Sequence, residues 1–406
     1  MDAGPLKNVR VLDLGHDYSA PFAATLLADF GADVIKVEKP SEGDVMRDVG
    51  PAGATGPVVW KSAGRNKKLI GLNWKHPNSR PVLDRLIQWS HVLVESYRPG
   101  VLEKNNLGPE KLFALNPELI VLRISGYGQT GPYRSRPGFG KVGEAFSGFC
   151  DLTGPRDGPP THAGFPMADM TTGLMGAFGI MLALHALREG LAKGQVIDLA
   201  LYETPLRLID FHVPVRTGTG LVPKRNGNRH PLSMAMSGMY KSADEKWITY
   251  SAGSFAVAKR VLRMVGGDAF ADDQRFTDLR SICRHDDEIN ERVTSWFSVK
   301  TGADVLKCFK DADAVAEYVY DIDDILSDPH VAARANIANV QSEHCKVVNV
   351  IPKLSETPGR LRWLGRDIGH DSIEILRLLQ FSDDEIAELL ESGAISSSIK
   401  EDRAAR

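Results

Sequence analysis

Apolar and polar positions along the first half of the chain alternate between a strand-like and a helix-like rhythm. Val9–Leu14 (VRVLDL) is a short apolar run that predicts a strand. PFAATLLADFG then shows helical spacing, opening on Pro21 and stopping at Gly31. Proline suits a first helical turn, where its missing N–H has no partner to lose. Asp33–Glu38 (DVIKVE) predicts the next strand. A strand, a helix and a second strand in this compass predict a crossover, and with it a parallel sheet with helices packed on it. The pattern repeats: a strand at Leu69–Leu72, a helix over Arg80–Trp89 and a strand at His91–Glu95. A helix over Glu110–Leu115 and a strand at Leu119–Ile124 follow. Gly126–Gly140 is rich in Gly and Pro and reads as a structured loop. A long apolar helix is expected from about Met170 to Glu189, then a strand at Gln195–Leu201 and a helix over Tyr202–His212.

The texture changes over Gly218–Pro231, where Gly, Pro, Arg and Asn dominate. This is the best candidate boundary. Residues from about 235 to 330 read as α+β with shorter elements, including a hairpin with its turn at Ala243–Lys246. The last segment carries the strand-like KVVNVIP, a loop over Pro352–Gly359, and helices at Asp371–Leu379 and Asp383–Glu391. Ser396–Arg406 is polar and expected to fray. No internal repeat is visible.

Length and composition narrow the function. At 406 residues the chain is long for one domain. Lys and Arg total 49 against 52 Asp and Glu, so no broad basic field is offered to nucleic acid or an anionic membrane. Cys150, Cys283, Cys308 and Cys345 form no CxxC pair, which favours a reduced, cytoplasmic setting over a disulfide framework. The opening residues lack the apolar segment of a signal peptide. The uncharged run Met170–Leu187 contains Gly173, Gly176, Gly179 and His185 and falls short of a membrane span, so a buried helix is expected.

Most motifs that would name a chemistry are missing. The turn after the first strand, LGHDYSAPF, has one glycine where a dinucleotide site wants GxGxxG. Walker A, GxSxG and HExxH patterns are absent, and His344-Cys345 is an isolated pair, so no metal is expected. One carboxylate stands out. Asp169 is placed just before the long apolar helix, between two glycine-rich loops. An acid there is stabilised by free backbone N–H groups and the helix dipole, and a plain N-cap is the simplest role for it. The apolar helix behind it favours the floor of a cleft instead.

Ordered strings along the chain match a known family. VRVLDLGHDYSAPFAATLLADFGADVIKVEKPSEGDVMR resembles the opening of the family III CoA-transferases, the CaiB/BaiF family. RNKKLIGLNWKHP (65–77), VLVESYRPGVLEKNNLG (92–108), SGYGQTGPYRSRPGF (125–139), ADMTTGL (168–174), GQVIDLALYE (194–203), RNGNRHP (225–231) and the closing LSETPGRLRWLGRDIGHDSIEILRLL are similar too. The resemblance is collinear over nearly the whole chain. It implies an α/β fold with a Rossmann-like large domain built from the N- and C-terminal segments (1–217 and 335–406) around a smaller α+β domain (218–334). It also implies an interlocked homodimer.

The resemblance further implies chemistry. Asp169 occupies the position of the family's nucleophile, which carries CoA as an aspartyl thioester between an acyl-CoA donor and a carboxylic acid acceptor. CoA is then a substrate, and no prosthetic group or metal is implied. Positions expected to border CoA are His16, Tyr18, Ser19, Lys39, Leu72, Lys75, Ser96, Tyr97, Arg98 and Lys104; Lys141 and Glu144 are expected near the acyl group. The α-methylacyl-CoA racemases of the same superfamily need a histidine base after the SGYGQTGP-like loop. This chain has Phe139-Gly140 there, and a phenyl ring takes no proton. A non-catalytic acyl-CoA-binding protein is a third reading, with Asp169 as a helix cap only. For the acyl group, the YGQTGPYRSRPGF loop resembles dicarboxylate-specific members, whereas the segment from Arg229 to Trp247 resembles carnitine-type ones. Arg47 and Arg225 are candidates to pair a second carboxylate, and Met234, Met236 and Met239 to line an acyl pocket.

Overall fold

The computed structural model describes residues 4–232 and 236–398. Met234 therefore lies outside the described residues. The chain divides into two compact units: residues 1–147, 164–208 and 329–406 form one, and residues 148–163 and 209–328 the other. The second unit takes in 148–163, a stretch that the expected boundary at 217 groups with the first.

The first unit is layered around a seven-stranded sheet. Its strands are β1 (Arg10–Asp13), β2 (Asp33–Glu38), β3 (Lys68–Leu72), β4 (Val92–Glu95), β5 (Ile120–Ser125), β6 (Gln195–Ala200) and β7 (Ile395–Ser396). They lie in the order β7-β3-β2-β1-β4-β5-β6, and all pairings are parallel except that of β7 with β3. Ser396, at the start of the stretch expected to fray, is hydrogen-bonded into this sheet edge opposite Gly71. The order reverses between β1 and β4. In a doubly wound sheet that is where the chain leaves in opposite directions and opens a crevice beyond the strand ends.

β1 to β5 are buried on both faces, as continuous apolar strands of a parallel sheet should be. One face carries Leu83, Leu86 and Ile87 from α2 (Arg80–Trp89) with Ile375 and Leu376 from the C-terminal segment. The other carries Ala20, Ala23, Ala24 and Leu27 of α1 (Ser19–Asp29) with Ala177, Ile180 and Ala183 of α4 (Met167–Arg188). A seven-residue helix, α3 (Gly140–Phe146), precedes α4. The alanines let α1 and α4 approach closely.

Two expectations for α4 need correction. It starts at Met167, with Pro166 at its N-cap, so Asp169 lies inside the first turn and is not the cap. Nor is it buried all round. Its 22 residues suffice in length and hydropathy for a membrane span, yet one face packs on α1 and β5 while Leu174, Phe178 and Leu182 are more than half exposed. The helix expected over Tyr202–His212 is broken, with helical turns at Glu203–Leu208 and His212–Thr219.

The second unit has a three-stranded antiparallel sheet with Trp247–Ala252 between Met236–Lys241 and Val315–Tyr318. Trp247–Ala252 alternates exposed and buried positions, the signature of a sheet covered on one face. Tyr240, Tyr250, Phe297 and Phe309 form its aromatic centre. The hairpin turns at Ser242–Lys246 as the sequence predicts.

Candidate active site

Charged residues sit at the C-terminal ends of the central strands, in register. Asp13 of β1 lies beside Lys36 of β2, and Glu95 of β4 beside Arg123 of β5. All four are buried. Lys67 Nζ donates to Asp13 Oδ2 at 2.8 Å and to the Pro21 carbonyl at 2.7 Å. Lys36 Nζ donates to the Gly15 carbonyl at 2.8 Å and pairs with Asp44 at 2.7 Å. Burial alone would lower the Lys36 ammonium, but Asp13 and Asp44 outweigh it and hold its pKa above the ordinary value. Burial and the neighbouring Lys36 charge win at Lys67, whose pKa is lowered. These pairs hold the turn after β1, since Asp44 Oδ1 accepts the Asp17 N–H at 3.3 Å and Asp13 Oδ1 the Gly15 N–H at 3.0 Å.

The turn after β4 is held the same way. Arg123 Nε donates to Glu95 Oε1 at 2.7 Å, and Glu95 Oε2 accepts the Tyr97 N–H at 2.7 Å. Burial pushes the Glu95 carboxyl up to about 7, with Arg123 opposing. The two turns then bond across the crevice. His16 N–H donates to Ser96 Oγ at 3.0 Å, and the His16 ring lies 5.0 Å from that of Tyr97. Tyr97 also meets Trp74 at 5.5 Å, and Lys75 Nζ lies over the Trp74 ring.

Asp169 opens into this crevice. A cleft of about 70 Å³ is lined by His16, Asp17, Ser19, Ser96, Tyr97, Arg98, Arg136, Phe139 and Asp169, among others. The structure thus brings together His16, Ser19, Ser96, Tyr97, Arg98 and Asp169. Lys75 is linked to them through Trp74. Tyr18 lines an adjoining apolar cavity of about 660 Å³, and Asp17 lines both. The larger space is therefore not the one that holds Asp169.

Lys141 Nζ donates to Glu144 at 3.0 Å and to the Phe165 carbonyl at 3.0 Å, tying α3 to the chain just before α4. Three expected positions stand apart from the cleft lining. Lys39 is exposed and pairs with Glu42. Leu72 is fully buried in the apolar core. Lys104 is exposed at the end of the short helix Val101–Lys104.

Electrostatics single out Asp169. Burial raises its pKa to about 7, the Asp17 and Glu144 carboxylates add to the rise, and its own backbone N–H and Lys141 oppose it. Sequence reasoning missed Asp17, whose left-handed φ of 66° sets it at the crest of the turn after β1. It also missed the buried charge pairs, although Lys36, Glu95 and Arg123 inside otherwise apolar strands were a usable signal.

A doubly wound sheet with a carboxylate at its switch-point crevice is the architecture of a ligand-binding α/β protein, and comparison with known proteins gives the class. Residues 6–372 match the family described as CoA-transferase family III. The chain is 40% identical over 393 residues to the succinyl-CoA–L-malate CoA-transferase beta subunit of Chloroflexus aurantiacus, covering 95% of this chain and 96% of that protein. It is 39% identical to the succinyl-CoA–D-citramalate CoA-transferase of the same organism, with the same coverage. A CaiB/BaiF family protein from Brucella suis superposes with a TM-score of 0.81 at 27% identity, covering 93% of this chain and 100% of that one. The chain belongs to CoA-transferase family III and is an enzyme of the transferase class.

Proposed function

We propose that this protein moves CoA from an acyl-CoA thioester to a carboxylic acid through an aspartyl-CoA thioester on Asp169. The observation that carries the reading is the placement of Asp169: half-buried in the switch-point crevice, and bordered there by His16, Ser19, Ser96, Tyr97 and Arg98. The Asp169 carboxylate attacks the thioester carbonyl. A C–O bond forms, the C–S bond breaks, and a mixed anhydride and CoA thiolate result. The thiolate attacks the aspartyl carbonyl, expelling the donor's carboxylate and leaving aspartyl-CoA. The acceptor carboxylate runs the same two steps in reverse, and Asp169 is regenerated. No proton, water or electron is consumed.

A carboxylate is a weak nucleophile, so position and basicity must make up the deficit. Burial beside Asp17 and Glu144 raises the basicity of Asp169, while the first turn of α4 favours its ionised form. In this reading His16 and the Ser96–Arg98 turn border CoA. Lys75 and Lys104 meet its charged end, with Tyr18 and Lys39 marking the flanks; Leu72, fully buried, supports the adjoining strand from within the core and does not touch CoA. Lys141 and Glu144 lie toward the acyl group. The named relatives suggest succinyl-CoA as donor and a dicarboxylic acid as acceptor. The racemase alternative lacks its histidine where Phe139 stands, 66% exposed.

The same reading includes an interlocked, cytoplasmic homodimer whose large domain joins the N- and C-terminal segments. Leu174, Phe178, Met181 and Leu182 present an uncovered apolar face on α4, and the apolar cavity beside Tyr18 adjoins its first turns. A second copy would bury both.

Trapping tests the chemistry. The protein is incubated with succinyl-CoA, treated with hydroxylamine, and digested for mass spectrometry. A hydroxamate at Asp169, together with an Asp169→Ala variant that binds CoA but transfers none, is expected. Deuterium wash-in at the α-carbon of a branched acyl-CoA, without CoA exchange, would overturn the reading in favour of a racemase.

A further inference from the structure

A second carboxylate on the substrate needs a cationic partner near Asp169, and the two arginines that sequence reasoning offers are both engaged. Arg47 is held by Glu38 through two hydrogen bonds of 2.8 and 2.7 Å and stacks over Trp60. Arg225 belongs to the second unit and is tied to Asp151 and to the Gly158 carbonyl. Arg136 differs. It lines the cleft that holds Asp169, and its guanidinium lies 3.6 Å over the Tyr133 ring. Among the described residues no carboxylate pairs with it.

Its loop is built to present it. Gly126 and Gly138 are pressed together, so that a Cβ on either would lie 2.7 Å from the other's Cα. The chain between them is a loop closed at its neck, and Arg136 leaves it two residues before Gly138. The outer end is tied down by the Gln129 N–H, which donates to Asp198 at 2.9 Å, and by Tyr127, which meets Tyr133 and Phe146 edge-on. A guanidinium stacked on an aromatic ring keeps its N–H edge free for a planar, two-bond pair with a carboxylate. Arg98 lines the cleft too, but it follows Tyr97 on the turn assigned above to CoA. Arg136 instead lies on the segment that runs through Phe139 into Gly140, which touches Asp169.

Building on the proposed CoA transfer, we propose that Arg136 binds the distal carboxylate of a dicarboxylic substrate and so selects dicarboxylic over monocarboxylic acids. The test uses the full-length protein with propionyl-CoA as donor and the matched four-carbon acids succinate and butyrate as acceptors. The readout is the ratio of kcat/KM for succinate to that for butyrate. Arg136→Gln is expected to lower the ratio on the order of ten- to a hundredfold, the worth of a charge-assisted hydrogen bond. Arg136→Lys should fall between, since a lysine keeps the charge and loses the fork. A ratio within about threefold of wild type in Arg136→Gln overturns the assignment; so does a matching loss on both acids with a raised KM for propionyl-CoA, which puts the guanidinium on CoA. Wild-type protein that transfers CoA to neither acid even with succinyl-CoA as donor, followed by exchange of labelled succinate, instead defeats the underlying reading, and this one with it.

Discussion

Gly140 has no side chain because the Asp169 carboxylate occupies the space: a Cβ built on Gly140 would lie 1.8 Å from Asp169 Oδ2. The first residue of α3 thereby sets the position of a side chain on α4. The adjacent Lys141, paired with Glu144 within α3, donates to the Phe165 carbonyl and so fixes α3 against the chain before α4.

Gly140→Ala should therefore displace the carboxylate while the protein still folds. Transfer activity is expected to drop by on the order of a hundredfold, the scale of an ångström's misplacement at a reacting group. CoA affinity, measured by calorimetry, should change little, because the His16 and Ser96 turns are held by other residues.

Activity should depend on pH through Asp169. The ionised carboxylate is the nucleophile, so kcat/KM for the acyl-CoA is expected to rise with pH through about 7. Asp17 is the largest charged contributor to the raised value. Asp17→Asn removes a like charge, so the midpoint should move to lower pH.

The same group gives a stability signature. Its folded pKa is raised above the ordinary 3.8, so the folded protein holds the proton more tightly than the unfolded chain. That contribution is fully present below 3.8 and is lost as pH rises to about 7. Asp169→Asn should melt higher than wild type at pH 8, and the gap should close toward pH 4.

Arg123→Met leaves Glu95 buried without its cation. A cost of roughly 3–5 kcal/mol is expected from urea unfolding. Glu95→Gln combined with Arg123→Met should recover part of it, because no uncompensated charge then remains.

The uncovered face of α4 predicts assembly. Phe178→Glu with Leu182→Glu should lower the solution mass measured by light scattering to that of one chain. An unchanged mass would show that this face is not the contact.

The strands and helices of the sheet were legible because both periodicities are strong. Val11–Leu12 and Val92–Val94 are apolar on both faces, and Arg80–Trp89 carries one apolar stripe. A parallel sheet follows from strands alternating with helices. Asp169 was legible as an acid at the start of an apolar helix, and its family resemblance rested on ordered strings. Pairing across the sheet was not legible, because register and strand order depend on contacts between distant segments. Asp13 meets Lys36 and Lys67, and Glu95 meets Arg123, only once β1, β2, β4 and β5 lie side by side. The same holds for Gly140 against Asp169, and for Arg136 at a loop neck closed by Gly126 and Gly138. Local pattern decides which residues are buried or turned; only the folded chain decides which charge faces which, since that energy depends on distances the linear order does not contain.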